Sequence, residues 1–178
     1  DTVPRATVKD VDTALAAAVK GFEVARKMTI YDRAQVLFKT ARIVESRLEE
    51  FALTIAREGS KTIREARKEA RRCVNTLTAS AEEAKRIQGE TIPFSSFPGG
   101  EKRRGYYERV PIGVVLAITP FNDPLNLVAH KLGPAVAAGN SVVLKPATVT
   151  PLSGIKLVEA FMEAGLPPLV MQVLTGFG

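Results

Sequence analysis

Apolar residues in the first half of the chain recur every three or four positions, which is the spacing of one helix face. Thr7 followed by Asp10 has the pattern of a capping box, so a first helix is predicted to begin there. A longer apolar stripe predicts a second helix over residues 32–59, and another predicts a third over residues 63–89. Glycine closes both stripes, as is common at helix ends. Two consecutive stripes of this kind indicate helices packed nearly antiparallel.

The last third of the chain changes to apolar, β-branched runs at residues 113–119, 141–145 and 170–174, with helical runs between them. Continuous apolar runs that alternate with helices are typical of a parallel sheet covered on both faces. Ligands of such sheets bind beyond the carboxyl ends of the strands. The sequence therefore predicts an α/β fold that begins a doubly wound parallel sheet, with its candidate site just after the three runs.

Between these parts lies a segment, residues 90–110, that proline and glycine divide into short pieces. It predicts two short strands that form a protruding hairpin or a linker. We therefore divide the chain into a helical part at residues 1–89, this β segment, and a first βαβαβ unit at residues 111–178. Exposed edge strands need covering, and association with another copy is one way to cover them.

The composition is that of an ordinary globular protein, with 46% hydrophobic and 25% charged residues. No apolar run has the length of a membrane span, so no membrane partner is expected. The single cysteine excludes an internal disulfide and suits a reducing compartment, from which we expect a cytoplasmic location. With one histidine and one cysteine, we expect no metal site.

The formal net charge of +6 favours anionic partners, either nucleic acid or a phosphorylated cofactor or substrate. No aromatic residues are interleaved with the main basic cluster to stack on bases, so we expect no nucleic-acid partner and interpret the cluster as a solvated helix face. The cluster consists of Arg64, Arg67, Lys68, Arg71 and Arg72.

Three ordered segments resemble motifs of the aldehyde dehydrogenase superfamily. PFNDP at residues 120–124 resembles its Pro-aromatic-Asn-x-Pro segment, and KLGPAVAAGNSVVLKPATVTP at residues 131–151 resembles its K-x-x-P-A-L-A-x-G-N-x-V-V-x-K-P-x-x-x-T-P segment. EAGLPPLVMQVLTGFG at residues 163–178 resembles its E-A-G-x-P-x-G-V-x-x-V-x-x-G segment, although Leu169 replaces the usual glycine. The resemblance covers nearly the whole chain but only the amino-terminal part of the family's length. It implies a Rossmann-like sheet of the aldehyde dehydrogenase type.

The resemblance implies an NAD(P)-dependent enzyme that oxidises a small, polar aldehyde to its acid, for example lactaldehyde, phosphonoacetaldehyde or a semialdehyde. In the family, a cysteine thiolate attacks the aldehyde, the thiohemiacetal passes hydride to the nicotinamide, and water releases the acid. The family's thiol segment and general-base glutamate are not among these residues, so we expect this chain alone to be inactive. The family's protruding segment joins a partner's sheet, which implies a homo-oligomer, either a dimer or a tetramer.

Two other functions stay open. The chain could be a stand-alone cofactor-binding or assembly module that pairs with a second polypeptide. It could also belong to an acyl-CoA-forming or acyl-phosphate-reducing relative within the same superfamily.

Asn122 is the candidate catalytic residue. It follows the first apolar run and lies between Pro120 and Pro124, which stiffen the turn. A fixed side-chain amide suits an oxyanion hole, and the resemblance implies that Asn122 steadies the oxygen of the thiohemiacetal. On the residues alone, the favoured interpretation is a turn asparagine that bonds its own backbone.

Lys145 and Thr148 are the candidate cofactor residues after the second run. The resemblance implies that Lys145 binds the adenosine ribose. Many NAD-specific relatives have a glutamate where this chain has Thr148, and a carboxylate there would repel a 2′-phosphate. Threonine removes that repulsion, so the sequence predicts NADP, or NADP and NAD together. The other cofactor contacts that the resemblance implies are Ile118, Thr119, Pro120, Phe121 and Gly178.

Four further residues have chemistry-bearing side chains without a firm role. Cys73 lies in the apolar stripe of a helix and is predicted to be a buried packing residue, not a nucleophile. His130 falls among apolar helical residues and is predicted to lie in the core or at an interface. Asp123 and Asn126 either cap the helix that begins near Pro124 or face the substrate.

Overall fold

The computed structural model describes residues 2–177, which form a helical layer, a small hairpin and a parallel sheet with its own helices. The helices are α1 (Val8–Ala25), α2 (Ile30–Ser46), α3 (Leu48–Gly59), α4 (Ile63–Ala84), α5 (Asn126–Ala137) and α6 (Leu152–Glu163). The strands are β1 (Glu90–Ile92), β2 (Gly105–Tyr107), β3 (Val114–Ile118), β4 (Ser141–Lys145) and β5 (Met171–Val173).

The three-stranded sheet has the order β3-β4-β5, and both pairs of strands are parallel. The α/β prediction is confirmed, and all three predicted strands lie within their predicted runs. Coverage of both faces is not uniform, however. β4 is buried along most of its length, whereas Leu116 and Ile118 of β3 are each 61% exposed. These two side chains point to the same face because strand periodicity is two, so that face of β3 is open in the described part of the chain.

The helical layer has one more helix than the stripes predict. Residues 32–59 do not form one helix, because the backbone at Arg47 leaves helical angles with φ −112° and ψ 27°. The break separates α2 from α3, and both then pack on α4 through buried side chains such as Leu37, Ile55 and Leu77. The predicted third helix ends at Ala84, five residues before Gly89.

The first helix begins as predicted but buries an unexpected face. The capping box of Thr7 and Asp10 is present. The buried side of α1 carries small residues, Ala14, Ala18, Gly21 and Ala25, while the larger apolar side chains point outward. A Cβ atom on Gly21 would lie 1.8 Å from the carbonyl oxygen of Leu169, so α1 approaches the chain before β5 too closely for a larger residue.

The middle segment forms an antiparallel pair, β1 with β2, in which Glu90 faces Tyr107 and Ile92 faces Gly105. The two predicted strands are confirmed, although the second ends at Tyr107 instead of reaching residue 110. The pair forms a two-stranded sheet separate from the parallel one, and most of its side chains are exposed. Among residues 2–177, no helix has both the length and the apolar character needed to cross a membrane.

Candidate active site

The carboxyl ends of the three parallel strands meet at one edge of the sheet and line a groove of about 350 Å³. Ile118 and Lys145 are register partners at the ends of β3 and β4, and both line the groove. Leu174 and Gly176 line it from the end of β5. The parallel topology therefore brings together residues that lie about thirty positions apart in the sequence, as expected for ligand sites of such sheets.

A chain of hydrogen bonds joins the ends of β4 and β5. Lys145 Nζ donates to Thr148 Oγ1 at 3.4 Å, and Thr148 Oγ1 donates to the carbonyl oxygen of Gly176 at 2.8 Å. The hydroxyl hydrogen of Thr148 is thus directed at the backbone. Gly176 has φ 156°, which lies in the region that favours glycine. Gly178, the last predicted cofactor contact, lies outside the described residues.

The turn after β3 carries the other predicted site residues. Thr119 donates its backbone N–H to the carbonyl oxygen of Lys145 at 3.3 Å, and its buried hydroxyl has no hydrogen-bond partner among residues 2–177. Pro120, Phe121 and Asn122 are exposed. None of the side-chain hydrogen bonds within residues 2–177 involves Asn122, so the interpretation of a turn asparagine bonded to its own backbone finds no support in this conformation.

A carboxylate from α4 holds the amino terminus of α5. Glu69 is 2% exposed, and its Oε1 accepts hydrogen bonds from the backbone N–H groups of Leu125 at 2.9 Å and Asn126 at 3.1 Å. The sequence predicted a cap from Asp123 or Asn126, as one of two alternatives, and that cap is absent. Asn126 Oδ1 instead accepts from Thr76 Oγ1 at 2.9 Å. A partner distant in sequence fills the position that a local side chain normally takes.

Asp123 belongs to an ion-pair network under the same turn. Lys61 Nζ contacts Glu69 Oε2 at 2.6 Å and also pairs with Asp123, while Arg72 contacts Asp123 Oδ2 at 3.2 Å. Burial alone would raise the pKa of Asp123, but Lys61 and Arg72 outweigh it and lower that pKa. Burial alone would lower the pKa of Lys61, but hydrogen bonds to the two carboxylates raise it. Asp123 is therefore ionised and Lys61 protonated at neutral pH.

The helix that follows β4 is held in a similar way. Glu58, at the end of α3, accepts hydrogen bonds from the backbone N–H groups of Leu152 at 2.7 Å and Ser153 at 2.8 Å. Carboxylates of the helical layer thus occupy the amino termini of both α5 and α6, where a cofactor phosphate would otherwise find free N–H donors. Sequence reasoning missed both residues. The signal at Glu69 was a charged side chain on the apolar stripe, three positions after Ala66 and four before Cys73.

The structure confirms the predicted burial of Cys73 but does not place His130 in the core. Cys73 is fully buried, and burial, together with the nearby charge of Glu69, raises the pKa of its thiol far above the ordinary value. It is the predicted packing residue and not a nucleophile. His130 is exposed, with Nε2 3.5 Å from Thr76 Oγ1, so it does not lie in the core. The other predicted place for His130, at an interface, stays a prediction. The buried face of α5 runs through Val128, Ala129 and Leu132, which turns His130 outward.

Comparison with known proteins identifies the family. The sequence profile described as the aldehyde dehydrogenase family matches residues 1–178. The 3-sulfolactaldehyde dehydrogenase of Priestia megaterium is 55% identical over 173 residues, which are 97% of this chain and 36% of that protein. Aspartate-semialdehyde dehydrogenase 1 of Pseudomonas canavaninivorans is 47% identical over 175 residues, which are 98% of this chain and 37% of that protein.

A solved structure agrees with this result. The NADP-dependent glyceraldehyde-3-phosphate dehydrogenase from Bacillus halodurans, complexed with NADP, matches with a TM-score of 0.95 and 40% identity. The match covers 99% of this chain and 37% of the solved one, so the chain spans little more than a third of the length of these relatives. The helical layer, the hairpin and the order β3-β4-β5 all lie within the matched region. The chain belongs to the aldehyde dehydrogenase family.

Proposed function

We propose that this chain forms the cofactor-binding, amino-terminal part of an NAD(P)-dependent aldehyde dehydrogenase that oxidises a small anionic aldehyde to its acid. The observation that carries the proposal is the meeting of Ile118, Lys145 and the Asn122 turn at one edge of a parallel sheet. We assign residues 1–89 and 111–178 to the cofactor-binding domain and residues 90–110 to an oligomerisation segment.

The groove suits a dinucleotide. Its volume of about 350 Å³ lies in the range of small-molecule sites, and its walls combine apolar Ile118 and Leu174 with the cation of Lys145. The buried hydroxyl of Thr119 has no protein partner within residues 2–177, which suits a contact to a bound ligand. We propose that Lys145 binds the adenosine ribose and, in NADP, its 2′-phosphate. No carboxylate stands at Thr148 to repel that phosphate, and the relative solved with NADP supports its use. NAD is the alternative cofactor.

We propose that Asn122 donates a hydrogen bond from its side-chain amide to the aldehyde oxygen as negative charge develops there. The exposed amide is free of other side-chain hydrogen bonds within the described residues, and the turn that carries it is anchored on α4. A fixed donor stabilises the transition state because it needs no reorientation when the charge appears. The nicotinamide, when bound, supplies the hydride acceptor. Cys73 is buried, so we propose that the attacking thiol lies outside these residues.

The substrate is proposed from the charge near the turn and from the relatives. Sulfolactaldehyde, aspartate semialdehyde and glyceraldehyde-3-phosphate, which name the relatives, all carry an anionic group. In this chain, Lys61, Lys68 and Arg72 line a hollow of about 280 Å³ together with three carboxylates, those of Glu65, Glu69 and Asp123. Asp123 is the residue after Asn122, and Lys61 is paired with Glu69 and Asp123. The Arg72 side chain is 57% exposed, and its guanidinium has donors beyond the one that Asp123 accepts. We propose that Arg72 attracts the anionic end of the aldehyde.

We also propose that the enzyme is a cytoplasmic homo-oligomer. The exposed β1–β2 pair offers strand edges that a second copy would cover, with Tyr106 71% exposed. The only cysteine is a free, buried thiol, which suits a reducing compartment.

The proposed function is tested by measuring reduction of NADP and NAD by the full-length protein. Sulfolactaldehyde, aspartate semialdehyde and glyceraldehyde-3-phosphate are compared with propanal, an uncharged aldehyde of similar size. We expect kcat/KM to be highest for an anionic aldehyde. Equal kcat/KM for all four would contradict the substrate class, and the absence of any NADP or NAD reduction would contradict the dehydrogenase.

A further inference from the structure

We propose that Glu69 is a positioning residue, which together with Lys61 fixes the turn that presents the Asn122 amide to the substrate. The inference rests on the oxyanion role proposed above and adds a residue from α4 to the site. Glu69 itself touches no reacting atom in this scheme. It acts through the backbone that follows Asn122.

The first observation is where Glu69 holds the turn. One carboxylate oxygen, Oε1, accepts hydrogen bonds from the backbone N–H groups of Leu125 and Asn126, three and four residues after Asn122. The carboxylate is almost completely buried, so water does not compete for these bonds. Backbone N–H donors at a helix start also carry partial positive charge, which strengthens a bond to a carboxylate.

The second observation is the other oxygen of the same carboxylate. Glu69 Oε2 accepts from Lys61 Nζ at 2.6 Å, and Lys61 also pairs with the side chain of Asp123. Asp123 directly follows Asn122. One buried carboxylate therefore fixes the turn at two places, directly through the backbone and indirectly through an ion pair.

The third observation concerns Asn122 itself. Its side chain is exposed and takes part in none of the side-chain hydrogen bonds within residues 2–177. The backbone of the turn therefore fixes the Cα–Cβ bond of Asn122 before substrate arrives, and with it the region that the amide can reach. On the amino-terminal side, the sheet fixes that backbone through the bond from Thr119 to Lys145. On the carboxyl-terminal side, Glu69 and Lys61 supply the restraint.

A comparison with Glu58 distinguishes a positioning role of Glu69 from helix capping alone. It accepts two backbone N–H bonds at the start of α6, as Glu69 does at the start of α5. No salt bridge within residues 2–177 joins Glu58 to a cation. A capping role alone predicts similar consequences for loss of either carboxylate, whereas a positioning role predicts that only Glu69 affects the step that uses Asn122.

The central variant is Glu69→Gln, which keeps the size and one acceptor oxygen but removes the charge that holds Lys61. We expect kcat of the full-length enzyme to fall about 10- to 100-fold, because small misplacement of a catalytic group has effects of that size. The Kd for NADP, measured by fluorescence titration, should change less than about twofold, since Glu69 makes no hydrogen bond to a described residue that lines the groove. Glu58→Gln is the matched control, and its kcat at saturating cofactor should stay within about twofold of the parent.

A double-mutant cycle with Asn122→Ala decides whether Glu69 acts through Asn122. If it does, adding Glu69→Gln to Asn122→Ala should lower kcat by less than about threefold, because the amide to be positioned is already gone. If Glu69→Gln lowers kcat by the same factor in both backgrounds, Glu69 acts independently and the proposal is overturned. A near-normal kcat for Glu69→Gln overturns it as well.

Lys61 provides a second route if Glu69→Gln fails to fold. Lys61→Met removes the cation and keeps the length of the side chain, and Lys61→Arg restores the charge. We expect Lys61→Met to lower kcat with little change in the Kd for NADP, and Lys61→Arg to recover most of the loss. No fall in Lys61→Met, or no recovery in Lys61→Arg, overturns the proposal. The function proposed for Asn122 fails separately, if Asn122→Ala by itself leaves kcat unchanged.

Discussion

The turns after β3 and β4 follow the same plan but hold their side chains in different ways. Each leads from a parallel strand into a helix whose first N–H groups bond a glutamate from the helical layer, Glu69 in one case and Glu58 in the other. After β3, the glutamate is buried and joined to Lys61. After β4, Lys145 lies in the wall of the groove, and Thr148, three residues later, is bonded across to Gly176.

This difference indicates that the ends of β3 and β4 have different functions. Fixing a neutral amide requires restraint of the backbone, which a buried charge network supplies. Binding an anionic cofactor requires a cation that keeps hydrogen-bonding capacity. Within residues 2–177, Lys145 Nζ makes one hydrogen bond, to Thr148 Oγ1 at 3.4 Å. The predicted consequences are that changes to Asn122 and the groups that hold its turn affect kcat, whereas changes to Lys145 and Thr148 affect cofactor affinity.

The largest expected effect comes from Asn122→Ala. It should lower kcat about 10²–10³-fold, as loss of an oxyanion donor does in other enzymes, with little change in the Kd for NADP. Steady-state kinetics and fluorescence titration of the full-length enzyme measure the two quantities. Gln88→Ala, which removes an exposed amide near the hairpin, is the control and should behave as the parent. If Asn122→Ala weakens NADP binding without lowering kcat, the two strand ends do not have the separate functions proposed for them.

The next effect concerns the end of β4. Thr148→Glu should weaken NADP binding much more than NAD binding, because a carboxylate about 4 Å from a phosphate costs a few kcal/mol at a partly shielded surface. Lys145→Ala should also weaken NADP more than NAD, since only NADP offers the charge-assisted pair.

Titrations of both cofactors with each variant measure these changes. Thr13→Glu adds the same charge at an exposed position on α1 and serves as the control. Thr148 does not select the cofactor if the wild-type enzyme does not bind NADP and Thr148→Glu leaves the ratio of the Kd values for NAD and NADP unchanged.

The smallest expected effect is a pH dependence of stability. It should arise at the turn after β3, which contains the ion pairs of Asp123, and not at the turn after β4. Lys61 and Arg72 hold the pKa of Asp123 below its ordinary value of 3.8. A lowered carboxyl pKa stabilises the folded state above the unfolded-state pKa, and this stabilisation is lost as the pH falls through the folded-state pKa. Asp123→Asn should therefore lower the free energy of unfolding by about 1 kcal/mol at pH near 7 and by much less at pH near 3.

Denaturant unfolding of parent and variant at the two pH values measures this difference. Asp12→Asn, at an exposed position on α1, is the control and should show no comparable dependence. An equal loss of stability by Asp123→Asn at both pH values would mean that Asp123 contributes through packing and not through its charge.

Much of the fold was predictable from sequence because it depends on local pattern. The capping box at Thr7 and the runs at β3, β4 and β5 follow from side chains adjacent in sequence, and the structure confirms them. The break at Arg47 was missed because the apolar spacing continues across it while the backbone changes direction. For His130 the sequence left the core and an interface open, because α5 is apolar over most of its surface and its pattern does not define which side faces the core.

The sequence by itself determined the α/β class, the positions of the strand ends, the burial of Cys73 and the presence of a candidate amide at Asn122. Only the tertiary structure decided what anchors that amide. Asp123 and Asn126 have side chains suited to capping, yet the cap of α5 comes from Glu69, more than fifty residues earlier. A buried carboxylate is stable only where several donors converge on it. Lys61, the helix start and the turn meet around Glu69 only once α4 packs against α5, so no local pattern reveals the network.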